Sequence, residues 1–168
     1  MDRCAGCGML APGGSAGCQS MFDELLALHF SDVAYFTVHR LFVDTYALQH
    51  PERYCASAKS LAAHLTGLCW ALEHGGNRAV GGEALRAWLD GTPRLQKPEI
   101  PSFRGSLTIA DALPASGPAA HVQGVVLWAR STWEAYASLH ETARGWIQKA
   151  LEDPPAARRK RHARGPAR

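Results

Sequence analysis

Apolar residues recur at helical spacing through most of this chain. Phe22, Leu25, Leu26 and His29 fall on one face and predict a first helix over residues 21–30. Ser20-Met-Phe-Asp23 ahead of it is a capping-box pattern, in which the hydroxyl accepts an early amide while the carboxylate reaches back. Ser31-Asp32 then breaks and recaps the chain. A second helix is expected over residues 33–48, anchored by Phe36, His39, Leu41, Val43 and Tyr46. Pro51 disfavours helical geometry at His50, so that helix ends there or just before. So short a link between the two helices makes an antiparallel hairpin.

Leu61, His64, Leu65, Leu68 and Leu72 mark one face of a third helix, starting near Ser57 and stopped by the left-handed cap that Gly75-Gly76 supplies. A shorter helix over 82–89 ends at Asp90-Gly91. Pro93, Pro98 and Pro101 leave 92–106 as an extended surface connection. Thr108-Ile-Ala-Asp111 repeats the capping box and predicts a single turn over 109–113, with a short strand over 106–109 as the competing reading. Pro118 opens the last and longest helix, 119–151, which Pro154-Pro155 ends. Val125, Trp128, Thr132, Leu139, Ala143, Trp146 and Ala150 form one stripe on it; Trp133, Tyr136, His140 and Ile147 form a second. Two stripes mean contact with more than one neighbour. The fold class is therefore all-α, a bundle of four to five helices around the long C-terminal helix.

Composition agrees, with 46% hydrophobic and 20% charged residues over 168 positions, enough chain for one buried core. The expected organisation is a single helical domain over 1–153, with residues 1–19 as a cysteine knuckle and loop, followed by a basic, disordered tail over 154–168. Charge changes the picture at that end. The formal +3 conceals six basic residues, Arg158, Arg159, Lys160, Arg161, Arg164 and Arg168, in a body that is otherwise mildly acidic. Any attraction to nucleic acid is confined to that tail. The N-terminus lacks the apolar region of a signal peptide, and no apolar run reaches the ~18–20 residues of a membrane span. A cytoplasmic protein with reduced thiols and no membrane partner is expected.

Five cysteines, an odd number, argue against a disulfide framework. Cys4-Ala-Gly-Cys7-Gly8 is instead a Cys-x-x-Cys-Gly knuckle, and Cys18 follows after ten intervening residues on loop backbone. Paired thiolates at this spacing suit zinc, and a structural site needs a fourth ligand. Cys18 lies about as far before the turn near residue 31 as residues 44–50 lie after it. His50 is therefore the first choice, with Cys55 as the alternative; Cys69 reads as a core residue. His39, Asp44, His64, His121 and His140 lie on or near apolar faces and are candidates for a His/carboxylate pocket, with Glu134 as a further carboxylate. No His-Glu-x-x-His, no Glu-x-x-His pair and no catalytic triad occurs, so the balance leans away from an enzyme. Glycine-rich phosphate loops are absent, leaving nucleotide cofactors without support.

With Cys4-x-x-Cys7-Gly8 and Cys18 stand Val38-His39-Arg40-Leu41-x-Val43-Asp44-x-Tyr46-Ala47-x-Gln49-His50-Pro51, Ser60-Leu61-x-x-His64-Leu65 and Trp88-Leu89-Asp90-Gly91. Gly105-x-Leu107-Thr108-Ile109-Ala110-Asp111 and Trp128-Ala129-Arg130-Ser131-x-Trp133 complete the set. In these stretches, over about residues 4–150, the chain resembles an uncharacterised bacterial family of small Cys- and His-containing helical proteins, a domain of unknown function. That pattern often has proline after the first knuckle cysteine and a longer spacer to the third, where this chain has Ala5 and a compressed loop. The resemblance draws attention to His39, His50, His64 and His121 and brings no activity with it. The leading expectation is a zinc-stabilised helical protein that works by binding a protein partner or a second copy of itself, or by regulation. A metal-dependent hydrolase-like enzyme and a nucleic-acid accessory protein are the alternatives.

Overall fold

A computed structural model describes residues 1–75, 78–114 and 116–152. Asp2–Arg3 (β1) and Leu10–Ala11 (β2) pair antiparallel, with Arg3 opposite Leu10. Eight helices follow among the described residues: Ser15–Ser31 (α1), Val33–Phe36 (α2), His39–Gln49 (α3), Pro51–Tyr54 (α4), Ala58–Glu73 (α5), Arg78–Asp90 (α6), Pro118–Ala135 (α7) and His140–Glu152 (α8). The expected all-α class holds. The third helix, α5, starts with the predicted Ser57, which forms a full capping box with Ser60, and Gly75 beyond its end adopts φ +60°. Residue 76, Pro154-Pro155 and the basic tail lie outside the described residues.

The structure corrects three boundaries. The capping box at Ser20 is unused: Ser20 Oγ donates to Glu24 Oε1 instead, and α1 begins five residues earlier. Gly14, at φ +59°, turns the chain into the helix, and a Cβ on Gly17 would stand 2.1 Å from the Pro12 carbonyl oxygen. Only glycine lets that loop close over the first helical turn, so Cys18 rides on the helix rather than on loop backbone. The expected helix over 33–48 is two pieces, α2 and α3. Asp32 caps α2 by accepting the Ala34 amide at 2.8 Å, and the Thr37 hydroxyl donates back to the Ala34 carbonyl at 3.0 Å, ending it after one turn.

The long C-terminal helix is also broken. At Tyr136 the ladder tightens to a 3-10 turn, Ala137–Leu139, before α8 resumes. His140 stacks on Trp133 with centroids 3.8 Å apart, and its Nε2–H donates to the Trp133 carbonyl at 2.8 Å. The Trp133 carbonyl thus accepts both this ring and the Tyr136 amide, at 3.0 Å. Residues 106–109 form no strand; Thr108 and Asp111 make a capping box around a 3-10 turn, Ile109–Ala112.

The core is a bundle in which α3 packs on α5 and α7, while α5 also packs on α8 and α6. Trp128, Tyr46, Tyr136, Phe42, Leu48, Leu61, Leu65 and Leu68 are fully buried. Two polar side chains lock the C-terminal end of α3 into this core. Tyr136 donates its hydroxyl to the Leu48 carbonyl at 2.6 Å. Gln49, wholly buried, accepts from Trp128 Nε1 at 2.9 Å and donates to the carbonyls of Arg104 and Leu107 at 3.0 and 2.8 Å. It thereby joins α7 and the proline-rich connection to the end of α3. No described helix is long and apolar enough to cross a membrane.

Replacing Gln49 by Ala strips three buried groups of their partner at once. We expect Gln49→Ala to lower unfolding free energy by about 3 kcal/mol in urea titrations. A loss below about 1 kcal/mol would mean that water takes over these bonds.

Candidate metal centre

The β1–β2 hairpin builds the knuckle. The Cys4 amide donates to the Met9 carbonyl at 2.8 Å and the Gly8 amide to the Cys4 carbonyl at 2.9 Å, with Gly8 at φ +77°. This tight turn aims the Cys4 and Cys7 side chains the same way, toward Cys18 in the first turns of α1 and His50 just past the end of α3. Cys4 Sγ and Cys18 Sγ each lie 3.4 Å from His50 Nε2, and Cys7 Sγ lies 3.7 Å from Cys18 Sγ. All four donor atoms fall within 4.8 Å of one another. Cys4, Cys18 and His50 are buried and Cys7 is half-buried.

The surroundings prepare these atoms as ligands. His50 Nδ1–H donates to the Tyr46 carbonyl at 2.8 Å, which fixes the ring and turns the Nε2 lone pair toward the three sulfurs. The ring also stacks on Tyr46, with centroids 4.0 Å apart. A Cβ on Gly6 would stand 2.4 Å from His50 Cδ2, so the glycine between the two knuckle cysteines is what admits the imidazole.

Burial raises the Cys4 thiol, but the amides of Cys7 and Gly6, the Ser15 hydroxyl and His50 together bring it below the ordinary thiol range. Contact with Cys18 holds Cys7 down to about 4, while the same contact and burial push Cys18 up. Burial opposes the His50 imidazolium, yet Cys7 and the Tyr46 carbonyl outweigh it and raise the ring. Three sulfurs and one imidazole nitrogen gathered in this way can hold a metal ion, which would take the place of their protons.

The other cysteines differ. Cys55, the alternative fourth ligand, is fully buried and donates to the Ala47 carbonyl at 3.6 Å, away from the cluster; burial pushes it up to about 12. Cys69, facing Glu73, is likewise pushed up to about 12. Both remain thiols.

The five residues considered for a pocket fall into three environments. Asp44, fully buried, accepts from His64 Nδ1 at 2.9 Å and from Arg40 Nε at 2.7 Å. His140 serves the helix break described above. His39 and His121 both lie beside His29, whose ring is 5.6 Å from the first and 5.0 Å from the second. None of the five lines the cavity of about 620 Å³ between α5 and α6, which Arg40, Lys59, Trp70 and Arg86 help to wall. Sequence reasoning placed His29 on the buried face of α1 and gave it no chemistry.

These features define an all-helical protein with a Cys₃His cluster that can hold a metal ion. The chain belongs to a family of unknown function, DUF5946, whose model matches residues 2–137. That match takes in all four cluster residues and stops before α8. No curated protein and no solved structure matches the chain.

Because the Gly6 contact is with a ligand ring, Gly6→Ala is expected to displace His50 and weaken metal retention by at least tenfold in competition with a chromophoric chelator. Ala5→Gly, one position away, serves as the control and should leave retention unchanged. Equal retention in both variants would show that the close approach at Gly6 is dispensable.

Proposed function

We propose that Cys4, Cys7, Cys18 and His50 bind one zinc ion, and that this ion is structural. The edge lengths of the cluster carry the reading. Four ligands placed around zinc at about 2.3 Å for sulfur and about 2.0–2.1 Å for nitrogen give tetrahedral edges near 3.8 Å between sulfurs and near 3.5 Å from sulfur to nitrogen. The corresponding separations are 3.7 Å and 3.4 Å. Three thiolates and one imidazole fill the shell, leaving no position for water, so the ion ties the N-terminal hairpin to α1 and α3 rather than activating a substrate. Soft thiolates select zinc over the hard cations.

In this reading the protein acts by binding a partner, and the turn between α1 and α2 is the surface it offers. Phe30, Val33 and Phe36 are exposed there at 69%, 82% and 44%, with the two phenyl rings 5.7 Å apart. Large apolar side chains grouped at one corner of a surface mark interaction sites.

Metal analysis tests the site directly. Cys4→Ser/Cys7→Ser is expected to retain one equivalent of zinc fewer than the natural sequence, and stripping the natural sequence with a strong chelator should lower Tm by 10 °C or more. Equal zinc in the two proteins, or an unchanged Tm after stripping, overturns the assignment. Phe30→Ser/Phe36→Ser should keep zinc and Tm while losing the binding partners, or the self-association, of the natural sequence. Retention of both would remove the α1–α2 corner as the contact surface.

A further inference from the structure

The opposite end of the α1–α3 pair holds a second group of nitrogen donors. His29 is 1% exposed and His121 is fully buried, and their Nε2 atoms face each other at 2.7 Å. His121 Nδ1–H donates to the Ala112 carbonyl at 2.5 Å, so its Nε2 carries a lone pair and accepts the His29 Nε2–H across the 2.7 Å contact. The same arrangement fixes His50 in the cysteine cluster: a backbone carbonyl holds one ring nitrogen and presents the other. His39 stands alongside, its ring 4.8 Å from Phe36 and 5.0 Å from Phe30. Nδ1 of His29 and Nδ1 of His39 are buried without a hydrogen-bond partner among the described residues. Buried polar atoms left in this state are uncommon and ask for an explanation.

From this geometry we propose that His29 and His121 form a second metal site for a late first-row divalent ion bound through imidazole nitrogen, with His39 beside the pair but outside its donor set. An ion about 2.1 Å from both Nε2 atoms would see them at an angle of roughly 80°, close to the cis positions of an octahedral or tetragonal ion and far from a tetrahedral edge. Nickel(II) and copper(II) have that preference with nitrogen ligands. The donor set is therefore different in kind from the thiolate cluster, and with two protein ligands it leaves coordination positions open for water or a small ligand. Burial, then repulsion from His121 and His39, holds the His29 imidazolium down to about 4, and burial lowers His121 and His39 too. All three rings are neutral at neutral pH, and an ion between the two Nε2 atoms requires the His29 proton to move to Nδ1, where no other described group is bonded.

The test uses the full zinc-loaded chain titrated with nickel(II), followed by calorimetry and by metal analysis after gel filtration. One nickel equivalent is expected beside undiminished zinc, with no thiolate-to-metal charge-transfer band in the near ultraviolet. His29→Gln and His121→Gln should each weaken nickel binding at least tenfold, His39→Gln by less, and His74→Gln on the exposed end of α5 not at all. Should the buried variants fail to fold, paramagnetic broadening of ring-proton signals in the natural sequence gives the answer without them. Nickel must broaden His29 and His121 first. Broadening confined to exposed histidines, or nickel taken up with loss of zinc and a thiolate band, overturns the second site. Neither result touches the zinc assignment, which rests on the Cys4/Cys7 variant.

Discussion

The register of α1 against α3 is the constraint on which the rest depends. Around Ala34 the two helices pair like the arms of a hairpin. Cys18 and His50 each lie sixteen residues from it, Phe22 and Tyr46 twelve, and His29 and His39 five. All three pairs meet: sulfur to nitrogen at 3.4 Å, stacked rings at 4.0 Å, and imidazoles at 5.6 Å. Slipping one helix by a residue would rotate its face by about 100° and separate all three pairs together. Asp32, which caps α2, and Thr37, which ends it, set the corner from which that register is counted.

Spacing along each helix then decides what stands at its two ends. Cys18 and His29 are eleven residues apart, as are His39 and His50. Eleven residues make almost a whole number of α-helical turns, so each helix presents both of its donors on one face, about 16 Å apart. Phe22, Phe42 and Tyr46 fill the space between, with Phe22 5.2 Å from Phe42. The apolar middle keeps the two donor groups chemically separate while joining them mechanically. Holding the thiolate end closed fixes the helix pair, and the fixed pair holds His29 against His121.

The four cluster residues were legible because their chemistry and their distances from the turn are written in the chain. Paired thiols with two residues between them demand a common partner, and counting from a turn near residue 31 puts residues 44–50 opposite residue 18; the structure moves the pivot to Ala34, where His50 is the equal arm. What escaped was what depends on close approach. Cys18 lies on helix because Gly17 lets the Pro12 carbonyl in, a fact about a missing atom that periodicity does not register. The break at Tyr136 is accompanied by the ring of His140 bonding back to the Trp133 carbonyl, whereas both apolar stripes run through it without a change of period. Helix type and order follow from patterning; helix continuity follows from individual side-chain bonds. His29 was overlooked for a related reason. An imidazole on an apolar face looks the same in sequence whether it packs or binds, and only the position of His121, ninety-two residues away, distinguishes the two.

The two ends of the helix pair also differ in how far the protein has satisfied them. At the cysteine end every ring nitrogen and sulfur has a neighbour: amides bond the knuckle sulfurs, a carbonyl bonds His50, and Gly6 gives up its side chain for contact. Nothing there waits for a further ligand once a cation is present. The histidine end keeps two buried nitrogens without partners, and an unmet buried polar atom costs about 1–3 kcal/mol. A fold that meets its polar needs so fully at Gln49, Asp44 and His50 has the means to meet them at His29. Trp70 Nε1 and Thr132 Oγ1 share that state elsewhere in the fold, so it is the 2.7 Å approach of His29 to His121, more than the open nitrogens, that marks a place for an ion. In the proposed reading, stability belongs to the sulfur end and exchangeable chemistry to the nitrogen end.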